Sequence, residues 1–426
     1  MKKFSPISFV IFSCLLQVNT YRIHEANKKS FVKLKSKSEL AKADTEFDPL
    51  ENIDPEVDCY YLIKNRNYTV EKHIITTDGY RIAIYRIPSS PKKPSVKRLP
   101  VVMQHGLLMS CFEWIFAGPR HDLAFMLADL GHDVWITNIR GTVFGRSHLT
   151  LSPDHDPEFW EFSYHEMATV DMANIIDYVL DVTNQQQIMY VGHSMGTSIS
   201  YILLSTKPEY NEKIKLVISF TPVAYWYDPQ TSFIGNMKPL LKPCMRFLES
   251  TRMHEILPVS TAMSNMLNIL CDNRDTIYKE LCQYLIFFSF GYNPDQVPET
   301  PNVVKFFRYF PAGASRQTLK HFTQNILEGE FRPIDFGSEK NMKKYGTPDA
   351  RPYNLKKISA PVALFYGYGD TLIAPHNVVY LSKVLPNVEV IEAVPHERFN
   401  HFDFVIARDV KKLLYDRVME VMARYY

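Results

Sequence analysis

Two stretches near residue 80 alternate apolar and polar positions. They cover residues 70–76 and 80–87, and Asp78-Gly79 between them is a pair that two-residue turns favour. Because a period of two gives a strand one buried and one exposed face, the pattern predicts a β-hairpin.

Downstream of the hairpin, short apolar runs alternate with helical patterns. We predict further strands at 99–103, 134–136, 188–191 and 215–220, and helices at 121–130, after residue 163 and at 197–204. Ser163 and Glu166 form the Ser-x-x-Glu pattern of a capping box at the start of the second helix. Strands that alternate with helices predict βαβ units and a mostly parallel sheet.

This alternation stops near residue 222 and resumes with a strand at 361–366, a helix at 376–384 and a strand at 388–394. The intervening segment contains apolar helical patterns, including the aromatic run at 284–290. We therefore predict an α/β fold with a mostly parallel sheet flanked by helices. Its core comprises residues 47–221 and 336–426, and a mainly helical cap, residues 222–335, is inserted between them.

The N-terminal residues have the pattern of a secreted protein. Residues 1–20 combine two lysines with an apolar run that is typical of a signal peptide and too short to span a bilayer. Residues 21–46 are polar and basic, as in a flexible leader or propeptide. No later stretch is apolar enough for a transmembrane anchor, and the signal pattern indicates entry into the secretory pathway.

Composition limits the class of partner. The chain has 46% hydrophobic and 22% charged residues and a formal net charge of +2, as in ordinary globular proteins. Residues 1–46 hold nine Lys or Arg and four Asp or Glu, so their removal changes the net charge to −3. Since no basic cluster lies in the predicted folded part, nucleic acid is not an expected partner.

Six cysteines are present, and Cys14 would leave with the signal peptide, so at least one of the other five has no partner within the chain. Cys271 and Cys282 lie eleven residues apart in one segment and are candidates for a disulfide. Asn67-Tyr68-Thr69 is the only sequon and makes Asn67 a candidate glycosylation site. No Cys or His spacing fits a metal site, and we expect no cofactor.

The pattern Gly192-His193-Ser194-Met195-Gly196 lies between the apolar run at 188–191 and the helical pattern at 197–204. A Gly-x-Ser-x-Gly between a strand and a helix is typical of a nucleophile elbow, in which a strained turn exposes the serine hydroxyl. Ser194 is therefore the candidate nucleophile.

A serine nucleophile needs a base and a carboxylate that orients the base, and in α/β-hydrolases the chain order is Ser, then Asp or Glu, then His. Asp370 follows the strand at 361–366 in a glycine-rich loop, and only His376, His396 and His401 come later. His401, after the last strand and before an apolar helix, is the candidate base. His396 lies on the same loop and is its rival.

The oxyanion of acyl transfer needs two backbone N–H donors. One is expected from Met195, which follows the nucleophile, and the other from Leu107, in the loop after an early strand. We interpret the neighbouring His105 and His193 as packing or hydrogen-bonding supports rather than bases.

Several segments resemble the acid lipase family, which includes gastric and lysosomal acid lipases. They occur in the family's order between residues 50 and 415: Gln104–Leu108, Asp133–Gly141, Phe159–Ser163, the Gly-His-Ser-x-Gly elbow, Phe365–Gly367 leading to Asp370, and Phe399–Phe404. The family usually has Gln where this chain has Met195. A backbone donor survives that change, but side-chain contacts around the elbow differ.

The resemblance implies an α/β-hydrolase core under a helical cap, with Ser194, Asp370 and His401 as the catalytic residues and Leu107 and Met195 as the oxyanion hole. It also implies a cap disulfide between Cys271 and Cys282, and hydrolysis of neutral lipids such as triacylglycerols or steryl esters at a lipid–water interface. Two alternatives stay open. One is a small-molecule carboxylesterase, and the other is a non-catalytic lipid-binding or storage protein on the same fold.

Overall fold

The computed structural model describes residues 50, 53, 58–88, 98–227, 233–258, 282, 292–297, 306 and 308–426. The predicted signal peptide, the leader, Cys271 and the aromatic run at 284–290 lie outside these residues.

The centre of the described structure is a mainly parallel sheet. The strands within the described residues are β1 (Glu71–Thr77), β2 (Tyr80–Ile87), β3 (Val101–Gln104), β4 (Val134–Ile136), β5 (Ser147–His148), β6 (Ile188–His193), β7 (Ile214–Phe220), β8 (Glu255–Ile256), β9 (Ala314–Ser315), β10 (Val362–Tyr366) and β11 (Val388–Ala393). The spatial order of the sheet is β1-β2-β4-β3-β6-β7-β10-β11, with β5 paired to β2. In this spatial order, the neighbouring strands β4, β3, β6, β7, β10 and β11 pair in parallel. Strand β2 pairs antiparallel with β1, β4 and β5.

Helices connect these strands. They are α1 (Cys59–Lys64), α2 (Leu123–Asp129), α3 (Tyr164–Glu166), α4 (Ala173–Thr183), α5 (Met195–Thr206), α6 (Tyr210–Lys213), α7 (Phe233–Ser250), α8 (Arg316–Glu328), α9 (Ser338–Tyr345), α10 (Pro375–Val384), α11 (Asp403–Ile406) and α12 (Asp416–Ala423). Among the described residues, none of them is both long and apolar enough to cross a membrane.

Strand β6 lies in the middle of the sheet, and all six of its residues are buried. Met189 and Val191 pack in the core that α2 and α12 cover, and Ile188 and Tyr190 pack in the opposite core, under α4 and α5. Because helices cover both faces, the central strands are apolar at most positions rather than at alternate ones.

The predicted strands and helices of the core are confirmed, with ends that differ by at most two residues. The capping box is present, since the Ser163 side chain accepts a hydrogen bond at the helix start and Glu166 Oε2 accepts one from Ser163 N–H at 2.7 Å. Between α3 and α4 the chain passes through a π-helical segment, Met167–Met172. Apolar spacing did not predict this segment, because residues 168, 172, 175, 176 and 179 also fit the repeat of an uninterrupted α-helix.

The described part of the segment between β7 and β10 is mainly helical, with α7, α8 and α9. It also contains the two-residue strands β8 and β9, which pair antiparallel and form a separate small sheet. These strands are too short for a sequence pattern and were not predicted. The bounds of the cap stay a prediction.

One disulfide within the described residues joins Cys59 in α1 to Cys111, 52 residues away in the chain. Sequence spacing did not identify this pair, because the two cysteines are far apart in the chain and only the tertiary structure brings them together. Cys282 is also disulfide-bonded. Its predicted partner, Cys271, lies outside the described residues, so that pairing stays a prediction.

Replacing both Cys59 and Cys111 by Ala is expected to lower the free energy of unfolding by about 3–4 kcal/mol, because the bridge closes a long loop in the unfolded chain. Both side chains are fully buried, so the bridge contributes to packing as well. Urea denaturation of the variant and the unmodified chain measures the difference. An unchanged midpoint would contradict a stabilising role for this bridge.

Candidate active site

Ser194 occupies the turn between β6 and α5. Its backbone angles are φ +52° and ψ −118°, a region that a residue with a side chain rarely adopts. Its N–H donates to the carbonyl of Phe220 at 3.0 Å. The turn leaves Ser194 partly exposed while its neighbours His193 and Met195 are buried. Backbone strain of this kind persists where the surrounding structure holds it, as at a nucleophile elbow.

The two glycines of the elbow allow the backbone of α5 to lie close to the backbones of β6 and β3. A Cβ on Gly196 would lie 2.4 Å from the carbonyl oxygen of Gln104 in β3, and a Cβ on Gly192 would lie 2.8 Å from the carbonyl carbon of Gly196. Neither distance is possible without a backbone shift. The glycine pattern therefore reflects the packing of α5 against β6 and β3.

Gly196→Ala is accordingly expected to destabilise the fold by about 1–3 kcal/mol, since the added methyl group meets backbone that cannot rotate away. Thermal or urea unfolding measures the loss. Gly346→Ala is the matched control, because a Cβ there has no neighbour within 4 Å and only the positive φ of +72° opposes it. A loss of less than about 0.5 kcal/mol in the Gly196 variant would contradict the close approach.

The structure brings the three predicted catalytic side chains together. His401 Nε2 lies 2.8 Å from Ser194 Oγ, and His401 Nδ1 lies 2.9 Å from Asp370 Oδ2. Both ring nitrogens thus have a partner, and the imidazole and the carboxylate are almost fully buried. With Nδ1–H donating to Asp370, Nε2 is left as the acceptor that can take the serine proton.

Asp370 is held by hydrogen bonds on both carboxylate oxygens. Oδ1 accepts from the N–H groups of Leu372 and Ile373 at 2.8 and 2.9 Å, and Oδ2 accepts from the Thr221 hydroxyl as well as from His401. Burial by itself would raise the pKa of Asp370, but the neighbouring His401 and these hydrogen bonds together hold the pKa below its usual value. The carboxylate is therefore ionised and fixed.

The loop that carries Asp370 contacts the loop that carries His401. A Cβ on Gly367 would lie 2.1 Å from the carbonyl oxygen of Phe399, and Gly369 N–H donates to that same carbonyl at 3.0 Å. The glycine-rich sequence before Asp370 therefore lets the acid and base loops touch. His396, the rival base, has no hydrogen bond between its ring and either Ser194 or Asp370 in the part of the chain that the structure describes.

The two candidate oxyanion donors belong to segments next to Ser194. Met195 is the first residue of α5, where N–H groups have no acceptor within the helix. Leu107 follows Gly106, and a Cβ on Gly106 would lie 3.2 Å from Ser194 Cβ, so this loop runs directly beside the nucleophile. The assignment of these two N–H groups to the oxyanion hole stays a prediction.

Sequence reasoning missed two residues of the site. Thr221 directly follows β7, and besides its bond to Asp370 its hydroxyl lies 3.0 Å from His401 Nδ1. Glu113 is fully buried and lies 2.6 Å from His193 Nδ1. Thr221 was findable only from the strand order, which places β7 between the strands that carry Ser194 and Asp370. No sequence signal marks Glu113.

Comparison with known proteins places the chain in a family. Two family models match it, a partial alpha/beta-hydrolase lipase region over residues 59–118 and the alpha/beta hydrolase fold over residues 100–242. Lipase 3 of Drosophila melanogaster is 35% identical over 87% of this chain and 94% of its own length. Gastric triacylglycerol lipase of Bos taurus is 33% identical over 85% of this chain and 90% of its own length. The chain belongs to the acid lipase family.

These matches confirm the resemblance seen in the sequence and the predicted α/β-hydrolase fold. They also agree with the predicted enzyme class, a serine ester hydrolase of the lipase type. Human lipase member K is a further relative, 32% identical over 88% of this chain and 93% of its own length. Among solved structures, a monoglyceride lipase from Saccharomyces cerevisiae superposes with a TM-score of 0.53 at 16% identity, covering 84% of this chain and 97% of that one. At that identity the likeness concerns the fold alone.

Proposed function

We propose that this acid lipase family member hydrolyses the ester bonds of neutral lipids, triacylglycerols and/or steryl esters, with Ser194 as the nucleophile. The observation that carries the proposal is the continuous contact from Ser194 Oγ through the His401 ring to Asp370, at 2.8 and 2.9 Å. A non-catalytic lipid-binding protein has no need of this arrangement.

In the proposed first step, His401 Nε2 takes the hydroxyl proton as Ser194 Oγ bonds to the acyl carbon of the ester. The carbonyl oxygen becomes an oxyanion that accepts hydrogen bonds from the N–H groups of Met195 and Leu107. As the intermediate collapses, the ester C–O bond breaks and His401 gives its proton to the departing alcohol. Ser194 then carries the acyl group.

In the proposed second step, water bonds to the acyl carbon and His401 Nε2 takes one of its protons. The bond to Ser194 Oγ then breaks, Oγ regains a proton from His401, and a fatty acid leaves. Asp370 stays ionised throughout and stabilises the imidazolium, which is consistent with its lowered pKa and its four hydrogen bonds.

Aromatic side chains pack next to the triad. Phe402, which follows His401, has ring centroid distances of 5.6 Å to Phe306 and 5.8 Å to Phe310. Phe112, beyond the loop of Leu107, stacks on Tyr309 at 5.2 Å. These rings are buried in the core or packed against it, so apolar side chains of the returning cap segment join both loops of the site.

Two features support the proposal that the protein enters the secretory pathway and acts outside the cytosol. The disulfide between Cys59 and Cys111 requires an oxidising compartment to persist. Asn67 lies exposed in a turn, where its sequon is accessible for glycosylation. Either an extracellular or a lysosomal destination fits both features.

The substrate class is tested by measuring fatty acid release from emulsions of triolein and of cholesteryl oleate, and hydrolysis of a soluble butyrate ester, between about pH 4 and pH 8. Under the proposal, at least one emulsified lipid is hydrolysed with a higher specific activity than the soluble ester. A strong preference for the soluble ester would identify a small-molecule carboxylesterase instead.

A further inference from the structure

A carboxylate and a histidine outside the triad are buried together next to the candidate nucleophile. Glu113 belongs to the 3₁₀ turn Cys111–Trp114, and His193 is the last residue of β6. Glu113 Oε1 lies 2.6 Å from His193 Nδ1, and the two side chains are 0% and 2% exposed. A buried charge is tolerated only with a partner, so the burial of Glu113 depends on its contact with His193.

The outer atoms of the pair contact two other parts of the site. Glu113 Oε2 accepts a hydrogen bond from the N–H of Gly106 at 2.9 Å, and His193 Nε2 lies 3.0 Å from the carbonyl oxygen of His401. Gly106 precedes Leu107, and His193 precedes Ser194. The pair therefore bridges the loop of the oxyanion donor and the loop of the catalytic base, and it passes through the nucleophile elbow.

These contacts fix the protonation of the pair. Because a carbonyl oxygen only accepts, His193 Nε2 carries a proton. Nδ1 lies 2.6 Å from the Glu113 oxygen, and a protonated imidazolium is the form that this proximity to a carboxylate favours, since two unprotonated acceptors so close together would repel each other. The N–H is not aligned with the oxygen, so the contact acts as an ion pair rather than as a directed hydrogen bond.

The groups around His193 agree with this assignment. Burial would lower the pKa of His193, but Glu113, the His401 carbonyl and the more distant Asp370 together raise it above its usual value. Two other histidines lie nearby. The ring centroid of His401 is 5.3 Å from that of His193, and His105 has its pKa lowered to about 4 by burial, so His105 is neutral.

We propose that Glu113 and His193 form a positioning pair that sets the spacing of Leu107, Ser194 and His401. The inference rests on the proposed function. Neither residue touches the reacting atoms, and each acts through the backbone it holds. Because displacement of a reacting group by about 1 Å costs on the order of 100-fold in rate, loss of the pair should appear in kcat.

Three variants separate geometry from charge. Glu113→Gln retains an oxygen for the Gly106 N–H and an amide that donates to a neutral His193, so its kcat should stay within about threefold of the unmodified enzyme. Glu113→Asp keeps the charge but is one methylene shorter, and Glu113→Leu removes both contacts. For these two, kcat on a soluble butyrate ester should fall by about 10- to 100-fold while KM changes by less than about threefold.

All kcat values are divided by the concentration of folded sites, counted from complete labelling of Ser194 with a fluorophosphonate. Asp171→Asn is the matched control, because Asp171 is another fully buried carboxylate, paired with Arg140. It should lower stability and leave the normalised kcat unchanged. If Glu113→Leu does not fold, the comparison of the Gln and Asp variants decides. Equal kcat values in those two, or a more active Asp variant, would overturn the proposal.

The pH dependence of unfolding provides a second readout. A histidine whose pKa is raised in the folded state stabilises the fold below its unfolded pKa of about 6.5 and loses this contribution as the pH rises through the folded pKa. The free energy of unfolding of the unmodified enzyme should therefore exceed that of Glu113→Gln most below about pH 6, and the difference should shrink at alkaline pH. A difference that grows with pH would overturn the ion pair. If the unmodified enzyme shows no Ser194-dependent turnover, the proposed function fails, and this unfolding measurement still decides the ion pair.

Discussion

Ser194→Ala is expected to reduce kcat on a soluble ester by about 10⁵- to 10⁶-fold, the loss that follows removal of the nucleophile in other serine hydrolases. The hydroxyl is the only nucleophilic group in contact with His401 Nε2 among the described residues, at 2.8 Å. The Met195 and Leu107 N–H groups remain, so any residual rate reflects binding and oxyanion stabilisation alone.

Loss of activity in Ser194→Ala has to be distinguished from loss of the fold. The Ser194 side chain is partly exposed, and the strained φ of +52° is the same for Ala, so the unfolding midpoint should change little. Retention of more than about one hundredth of the activity by the folded variant would remove the acyl-enzyme mechanism.

Asp370→Asn is expected to lower kcat by about 10⁴-fold with little change in KM. The asparagine can place its NH₂ group toward His401 Nδ1, which then becomes the acceptor. Nε2 would then carry the proton and could no longer take one from Ser194. Hydrolysis of a soluble ester measures the effect, and the fluorophosphonate should label Ser194 far more slowly than in the unmodified enzyme.

The same variant has an expected effect on stability, with a defined sign. The pKa of Asp370 is lowered in the folded protein, so its ionised form stabilises the fold above the unfolded pKa of about 3.9, and this contribution is lost as the pH falls through the folded pKa. The difference in free energy of unfolding between the unmodified enzyme and Asp370→Asn should thus be constant above about pH 5 and shrink in stronger acid. A difference that increases toward low pH would contradict an ionised Asp370.

Several features were readable from the sequence because they depend on local pattern and chain order. The apolar run at 188–191 and the Gly-x-Ser-x-Gly after it define β6, the elbow and α5 without any long-range information. Asp370 and His401 could be selected because the fold fixes the order in which nucleophile, acid and base occur. The glycines before Asp370 were visible, although their reason, contact with the carbonyl of Phe399, was not.

Other features depend on which strands become neighbours, and local pattern does not contain this information. Thr221 meets Asp370 because β7 lies between β6 and β10, and Cys59 meets Cys111 across a 52-residue separation. Glu113 reaches His193 from a turn 80 positions earlier in the chain. A buried glutamate contradicts ordinary residue preference, and only the packed structure provides the histidine and the N–H group that make its burial tolerable.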